Sequence, residues 1–379
     1  MNNILIPFAN SIDPMSGGVE RVYHNIVPFF ISHGYKVYAT YHIKSAYDTK
    51  AVYTQIHHIN IPISDPNYYT IMDGVIDRFN INIVIYPFVD HELINYFSRK
   101  KELKVFFHIH NVPSVLLCPT ISNLPSFLKG TYIDTITKYI RKIVRYNKAF
   151  KQIDQNGMKI VLLSNHFRKD LLKIYKFNSN NIKALPNPII SSQKDFFYKE
   201  ENKENTILYV GKIITKQKRF YSLLNIWSKL QDKLPDYKLE ILGGGAELSY
   251  YKEKAKKMGL QRLKFHGVKK PDEFYQKAKI LCMTSTYEGF GMVLVEAMQY
   301  GCVPFAFNSF SALQDIINNN VNGFSIKPFD ENEYADKIIN FLSLPPTERQ
   351  TISENAIRKS QEFNANIIGE KWIELFENY

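Results

Sequence analysis

An alternation constrains the fold of this chain more than any other feature. Short, apolar, β-rich runs recur along it with helical patterns between them, and they fall into two sets of six. The first set is Ile4 to Phe8, Lys36 to Tyr41, Ile81 to Tyr86, Lys104 to Phe107, Lys159 to Leu163 and Ile182 to Leu185. The second is Thr206 to Val210, Lys238 to Leu242, Leu263 to His266, Ile280 to Thr284, Val303 to Phe307 and Gly323 to Ile326. Strands that alternate with helices predict parallel sheets covered by helices. Asn187-Pro188 and the polar stretch Ser191 to Asn205 separate the two sets and read as a linker. A chain of 379 residues is also too long for one ordinary core. The expected organisation is an α/β domain over residues 1–188, a linker over 189–204, a second α/β domain over 205–360, and a C-terminal helix over 361–379 that returns to the first domain. Ligands are expected in the cleft at the carboxyl ends of the strands.

Composition excludes several classes. With 45% hydrophobic and 22% charged residues the chain is an ordinary globular protein, and no apolar run approaches the ~20 residues that span a bilayer. The start, Met1-Asn-Asn-Ile-Leu-Ile-Pro-Phe, lacks the basic opening and long apolar centre of a signal peptide and reads as a first strand, so a cytoplasmic location is expected. Cys118, Cys282 and Cys302 are widely spaced, without a CxxC pair, and read as reduced core residues rather than metal ligands.

Charge is uneven: residues 1–190 hold 22 Lys and Arg against 12 Asp and Glu, and the remainder 26 against 24. Much of the excess is Lys138, Arg141, Lys142, Arg145, Lys148 and Lys151, interleaved with Tyr139, Ile140, Ile143, Val144 and Phe150. Two readings stay open for this segment: a helix lying on the inner face of an anionic membrane, or a core-packed helix with a solvated basic face. No nucleic-acid-binding motif accompanies the charge.

The stretch Ser285-Thr-Tyr-Glu288-Gly-Phe-Gly-Met-Val-Leu-Val-Glu296-Ala-Met carries the chemistry. Ile280 to Thr284 predicts a buried strand, Glu288 to Gly291 a tight turn, and Met292 to Tyr300 a helix. A helix entered through glycines offers free N–H groups to a phosphate. Glu296, more than one turn in, leans back toward the helix start, where it can accept two hydrogen bonds from a ribose diol. Glu288, in the turn, faces what lies beyond the phosphates.

This stretch, followed by Gly301-Cys-Val-Pro304 and another strand, resembles the glutamate-x7-glutamate signature of the retaining glycosyltransferases of family 4, which have the two-domain GT-B fold. The resemblance implies that Glu288 contacts the donor sugar, with Gly289, Phe290 and Gly291 around it, and that Glu296 holds the ribose. It directs two cations after Gly211 at the donor diphosphate. Here these are Lys212, which replaces the family's Arg and gives up its bidentate fork, and Lys218, with Lys216 as the alternative. It lays the glycine-rich turn Gly243 to Gly245 against the nucleotide and Val268 near the base; His266 stays unassigned, since a strand-end position explains it. In the first half, Gly17-Gly18 opens an amphipathic helix and permits close approach of a phosphate or sugar. After the strand ending at Phe107, the resemblance sets a histidine near the transferred sugar: His110, with His108 in reserve.

The expected activity is transfer of a sugar from a nucleotide-sugar donor to a glycan or lipid-linked acceptor, with anomeric retention. UDP is favoured as the carrier by family frequency, and no separate cofactor is expected. The chain has no Asp-x-Asp pair, the usual diphosphate-metal ligand of the other major glycosyltransferase fold, so lysines and helix N-termini take the leaving-group charge without metal. A sugar-nucleotide epimerase on the same fold and a non-catalytic sugar-nucleotide sensor are the rival readings.

Overall fold

The computed structural model describes residues 2–113, 132–190 and 198–379, and these form two compact units. Unit 1 comprises residues 1–188 and 365–379, and unit 2 residues 189–364. The sheet of unit 1 has seven strands: β1 (Asn3–Pro7), β2 (Lys36–Tyr41), β3 (Gln55–His58), β4 (Ile83–Tyr86), β5 (Lys104–Ile109), β6 (Lys159–Leu162) and β7 (Ile182–Ala184), in the order β3-β2-β1-β4-β5-β6-β7. The sheet of unit 2 has six: β8 (Glu204–Val210), β9 (Lys238–Leu242), β10 (Leu263–Gly267), β11 (Ala278–Met283), β12 (Val303–Phe307) and β13 (Phe324–Ile326), in the order β10-β9-β8-β11-β12-β13. Every pairing among them is parallel.

All twelve expected runs form strands, while β3 is an addition. Its sequence, Gln-Ile-His-His, has one apolar residue, because the strand lies at the sheet edge with neither face deeply covered. The helices cover the sheets through apolar faces at helical spacing. In helix Phe220–Leu230 the buried residues Phe220, Leu223, Leu224, Trp227 and Leu230 recur at intervals of three and four. Each such side chain contributes about 1.5–3 kcal/mol on burial.

The described part of the expected linker is packed rather than loose. Tyr198 is buried, Glu200 binds Arg349 at 2.7 Å, and the Lys203 ammonium donates to the carbonyls of Tyr275 at 2.9 Å and Tyr300 at 2.7 Å. Burial pushes Lys203 down to about 8. Glu200 and Lys203, two of the charged residues that made this stretch look like a linker, thus have fixed partners in unit 2. The chain re-enters unit 1 after Asn364, so helix Pro346–Gln361 belongs to unit 2 and helix Ala365–Glu377 to unit 1. In the latter, Gly369 lies flush against the Phe29 ring of helix α1 (Gly18–Ser32), with no room for a Cβ, and Trp372 meets Phe106 edge-on at 6.0 Å. Cys282 and Cys302 are free and buried, their thiols pushed up to about 12 by burial; Cys118 lies outside the described residues. Among the described residues no helix is long and apolar enough to cross a membrane.

Candidate functional site

In unit 2 the chain runs β8, β9, β10 toward one edge and β11, β12, β13 toward the other, so β8 and β11 adjoin where the strand order reverses. Open α/β sheets bind ligands beyond the carboxyl ends of such a pair. The loops that leave β8 and β11 are stitched together there. Thr286 N donates to the Gln217 carbonyl at 2.7 Å, Thr284 Oγ1 to the Lys218 carbonyl at 2.9 Å, and Thr286 Oγ1 to the Lys216 carbonyl at 3.2 Å. The stitching presents Lys218 to Glu288: Nζ lies 2.5 Å from Oε1, and Ser285 Oγ donates to the same oxygen at 2.5 Å. The two charged side chains are only 18% and 11% exposed. An ammonium has three donors, of which Glu288 takes one.

Arg219, next in sequence, caps helix Phe220–Leu230 with left-handed backbone, φ 45°. Its guanidinium lies 4.1 Å from the Phe329 ring centroid and 4.8 Å from that of Tyr221, and its Nε has no hydrogen-bond partner among the described residues. Ser285 opens the motif stretch, but the sequence reading gave its hydroxyl no role. Arg219 carried no sequence signal apart from standing next to a lysine already assigned, since its nearer ring partner, Phe329, comes from a distant segment.

The other expected site residues of unit 2 are placed as follows. Gly291, with φ 94°, caps the short helix Met292–Met298 in a conformation that favours glycine. Glu296 is half-buried on that helix and accepts the Tyr275 hydroxyl at 3.3 Å. Phe290 is interior, edge-on to Phe363 at 5.4 Å, so only its backbone can face a ligand; Gly289 beside it retains some exposure. Gly243 has a structural duty as well: a Cβ there would overlap the Gly211 carbonyl oxygen, because the turn after β9 packs backbone to backbone on the turn after β8. Gly245 likewise abuts the Ile213 carbonyl. Lys212 is exposed, its carbonyl accepting the Tyr209 hydroxyl at 2.9 Å. Val268 stands out at 73% exposure beside Gly244. His266, left unassigned, pairs with Glu240.

In unit 1 the order reverses between β1 and β4. Gly17 and Gly18 open α1 in the loop after β1, and the Glu20 carboxylate folds back onto Gly17 so closely that a Cβ would strike it. His108 lies one residue before the end of β5 and His110 follows the strand, their ring centroids 4.0 Å apart. Tyr23 of α1 joins them, its hydroxyl 3.0 Å from His108 Nδ1 and 3.4 Å from His110 Nε2. Burial pushes His110 down to about 3; His108 is lowered by burial and by its neighbour. Both rings are therefore neutral near pH 7, able to exchange hydrogen bonds but not to carry positive charge. His108 Nε2 and His110 Nδ1 have no partner among the described residues. The basic segment lies on helix Tyr132–Gln155, where Arg141, Arg145 and Lys148 are exposed and Lys142 is half-buried; the Lys138 side chain lies outside the described residues.

Comparison with known proteins bears on the fold and on unit 2. The fold matches that of Anabaena HepE, solved in complex with UDP and glucose, with a TM-score of 0.74, 16% identity and full coverage of both chains. The architecture is thus GT-B α/β, built of two parallel-sheet Rossmann-like domains. Residues 191–359 match the family model Glycosyl transferases group 1, and this span contains Lys218, Glu288 and Glu296. An uncharacterized glycosyltransferase of Haemophilus influenzae is 30% identical over 200 residues, 52% of this chain and 55% of that protein. A Campylobacter jejuni α-1,4-N-acetyl-D-galactosaminyltransferase, named for an acceptor glycan on diphospho-undecaprenol, is 27% identical over 195 residues, 51% and 54% of the two chains. The chain spans about half the length of these curated relatives.

Proposed function

We propose that this protein is a retaining glycosyltransferase that moves a sugar from a nucleotide sugar, a UDP-sugar in preference, to a glycan or lipid-linked acceptor. The carrying observation is the buried Lys218–Glu288 pair at the β8/β11 reversal, within the span that matches the family model. Lys218 uses its remaining donors on the diphosphate, where a preorganised cation in a shielded crevice stabilises the departing charge. Glu288 keeps that ammonium in place and accepts hydrogen bonds from the donor sugar, while Glu296 accepts from the ribose. Gly18, open beside the Glu20-covered Gly17, admits the phosphates closely, and neutral His110 hydrogen-bonds a sugar or acceptor hydroxyl. In the reaction the bond from the anomeric carbon to the phosphate oxygen breaks and a bond to the acceptor oxygen forms on the same face. The acceptor proton passes to the leaving phosphate. Lysines and helix N-termini serve this step without metal.

The UDP complex of HepE and the lipid-linked acceptor in the Campylobacter relative's name support the choice of substrates. A thermal-shift screen of nucleotide sugars, followed by labelled donor with a lipid-linked acceptor, tests the reading. The expected result is stabilisation of roughly 2.7 kcal/mol at ~100 times the dissociation constant and label on the acceptor, unaffected by chelator. Epimerised donor with no labelled acceptor, or binding without turnover or slow donor hydrolysis, overturns it.

A further inference from the structure

The basic segment takes no part in the proposed chemistry, and its helix has a surface that solvation does not explain. Helix Tyr132–Gln155 is anchored by one side: Ala149, Phe150 and Ile153 are buried, Phe150 meets Phe177 edge-on at 5.3 Å, and Gln152 Nε2 donates to Asn95 Oδ1 at 2.6 Å. A helix advances 100° per residue, which puts Ile140 and Val144 on the side opposite those anchors. Both are open to solvent, at 53% and 63% exposure. Exposed Arg141, Arg145 and Lys148 flank them along one side of the helix, exposed Lys151 continues their line toward its C-terminus, and no acidic residue occurs from 135 to 153. A merely solvated face gains nothing from an aliphatic crest. An apolar crest flanked by bases and cleared of acids matches a lipid interface with anionic headgroups.

We propose that this face docks the protein on an anionic membrane, with Ile140 and Val144 entering the headgroup boundary and Arg141, Arg145, Lys148 and Lys151 contacting lipid phosphates. This goes beyond the reaction and is independent of it, so its test is binding. The full chain is sedimented with vesicles of phosphatidylcholine alone or mixed with phosphatidylglycerol. Binding is expected to the mixed vesicles only. Arg141→Gln, Arg145→Gln and Lys148→Gln together are expected to weaken it roughly 100-fold, at about five-fold per base near the surface. Ile140→Ser with Val144→Ser is expected to weaken it by at least ten-fold and to leave a residue that ~0.5 M salt abolishes, whereas the parent keeps part of its binding in salt. Circular dichroism and unchanged sedimentation without lipid establish that both variants fold. Absence of parent binding to mixed vesicles overturns the proposal. So does full binding by the serine variant, and so does loss in either variant of duplex DNA binding or self-association where vesicle binding never occurred.

Discussion

Removing Lys218 tests the structural basis of the site and its chemistry together. In Lys218→Met, Glu288 loses the ammonium at 2.5 Å and keeps, of the two contacts described for Oε1, only the Ser285 hydroxyl. Stripping one partner from a buried ion pair costs ~3–5 kcal/mol, and the slight exposure of both side chains sets the expectation at about 3 kcal/mol. For a unit of this size each kcal/mol moves the midpoint by ~2–4 °C, so the unit 2 transition should fall by roughly 6–12 °C. Adding Glu288→Gln removes the stranded charge and should restore most of the loss. The chain's two tryptophans separate the readouts, since Trp227 is buried in unit 2 on the helix that follows Lys218 and Trp372 is buried in unit 1.

The functional arm uses the same variants. Glu288→Gln alone removes the negative charge beside the ammonium, so nucleoside diphosphate affinity should stay level or rise while turnover falls. Lys218→Met should lower turnover by about 100-fold or more, in line with ~3 kcal/mol for one preorganised group. Equal destabilisation of Lys218→Met and the double variant would refute the coupling. A loss of nucleoside diphosphate affinity in Glu288→Gln would refute the division of roles.

Three further outcomes are expected. Glu296→Ala should weaken donor and free nucleoside diphosphate alike by roughly 10–100-fold, the scale of charged hydrogen bonds at ~1.5–3 kcal/mol; calorimetry showing unchanged nucleotide affinity removes it from the ribose. Gly243→Ala should destabilise unit 2 by more than ~3 kcal/mol, because its Cβ meets backbone rather than a movable side chain; a midpoint within 2 °C of the parent, on the scale used above, contradicts the backbone packing. Unit 1 should lose stability in acid: the unfolded imidazole of His110 protonates below ~6.5, whereas the buried ring resists until about 3. Stability is therefore complete above the unfolded value and falls as pH drops between the two, by about 2 kcal/mol at pH 5 for His110 alone. His110→Gln should flatten that slope in urea titrations followed at Trp372, and an unaltered slope counts against a neutral His110.

The sheets were legible because a strand inside a parallel sheet is apolar along most of its length, a local property that needs no partner to be recognised. β3 escaped for the converse reason: an edge strand retains polar residues, and Gln-Ile-His-His shows neither an apolar run nor an alternation. The packing of the described end of the linker escaped by the same logic turned around. Glu200 and Lys203 look solvated until Arg349 and the carbonyls of Tyr275 and Tyr300, up to about 150 positions away, are folded onto them. In the site, the sequence named Lys218 and Glu288 separately, one from each loop. That they pair follows from the order reversal between β8 and β11, which a linear pattern does not encode. The glycines show the limit from the other side. The resemblance lays the Gly-Gly-Gly turn against the nucleotide, yet Gly243 is already required by the Gly211 carbonyl, so its presence is explained before any ligand arrives. The chemical assignment therefore rests on the charged residues, whose burial costs stability unless each is paired, and not on the glycine-rich turns.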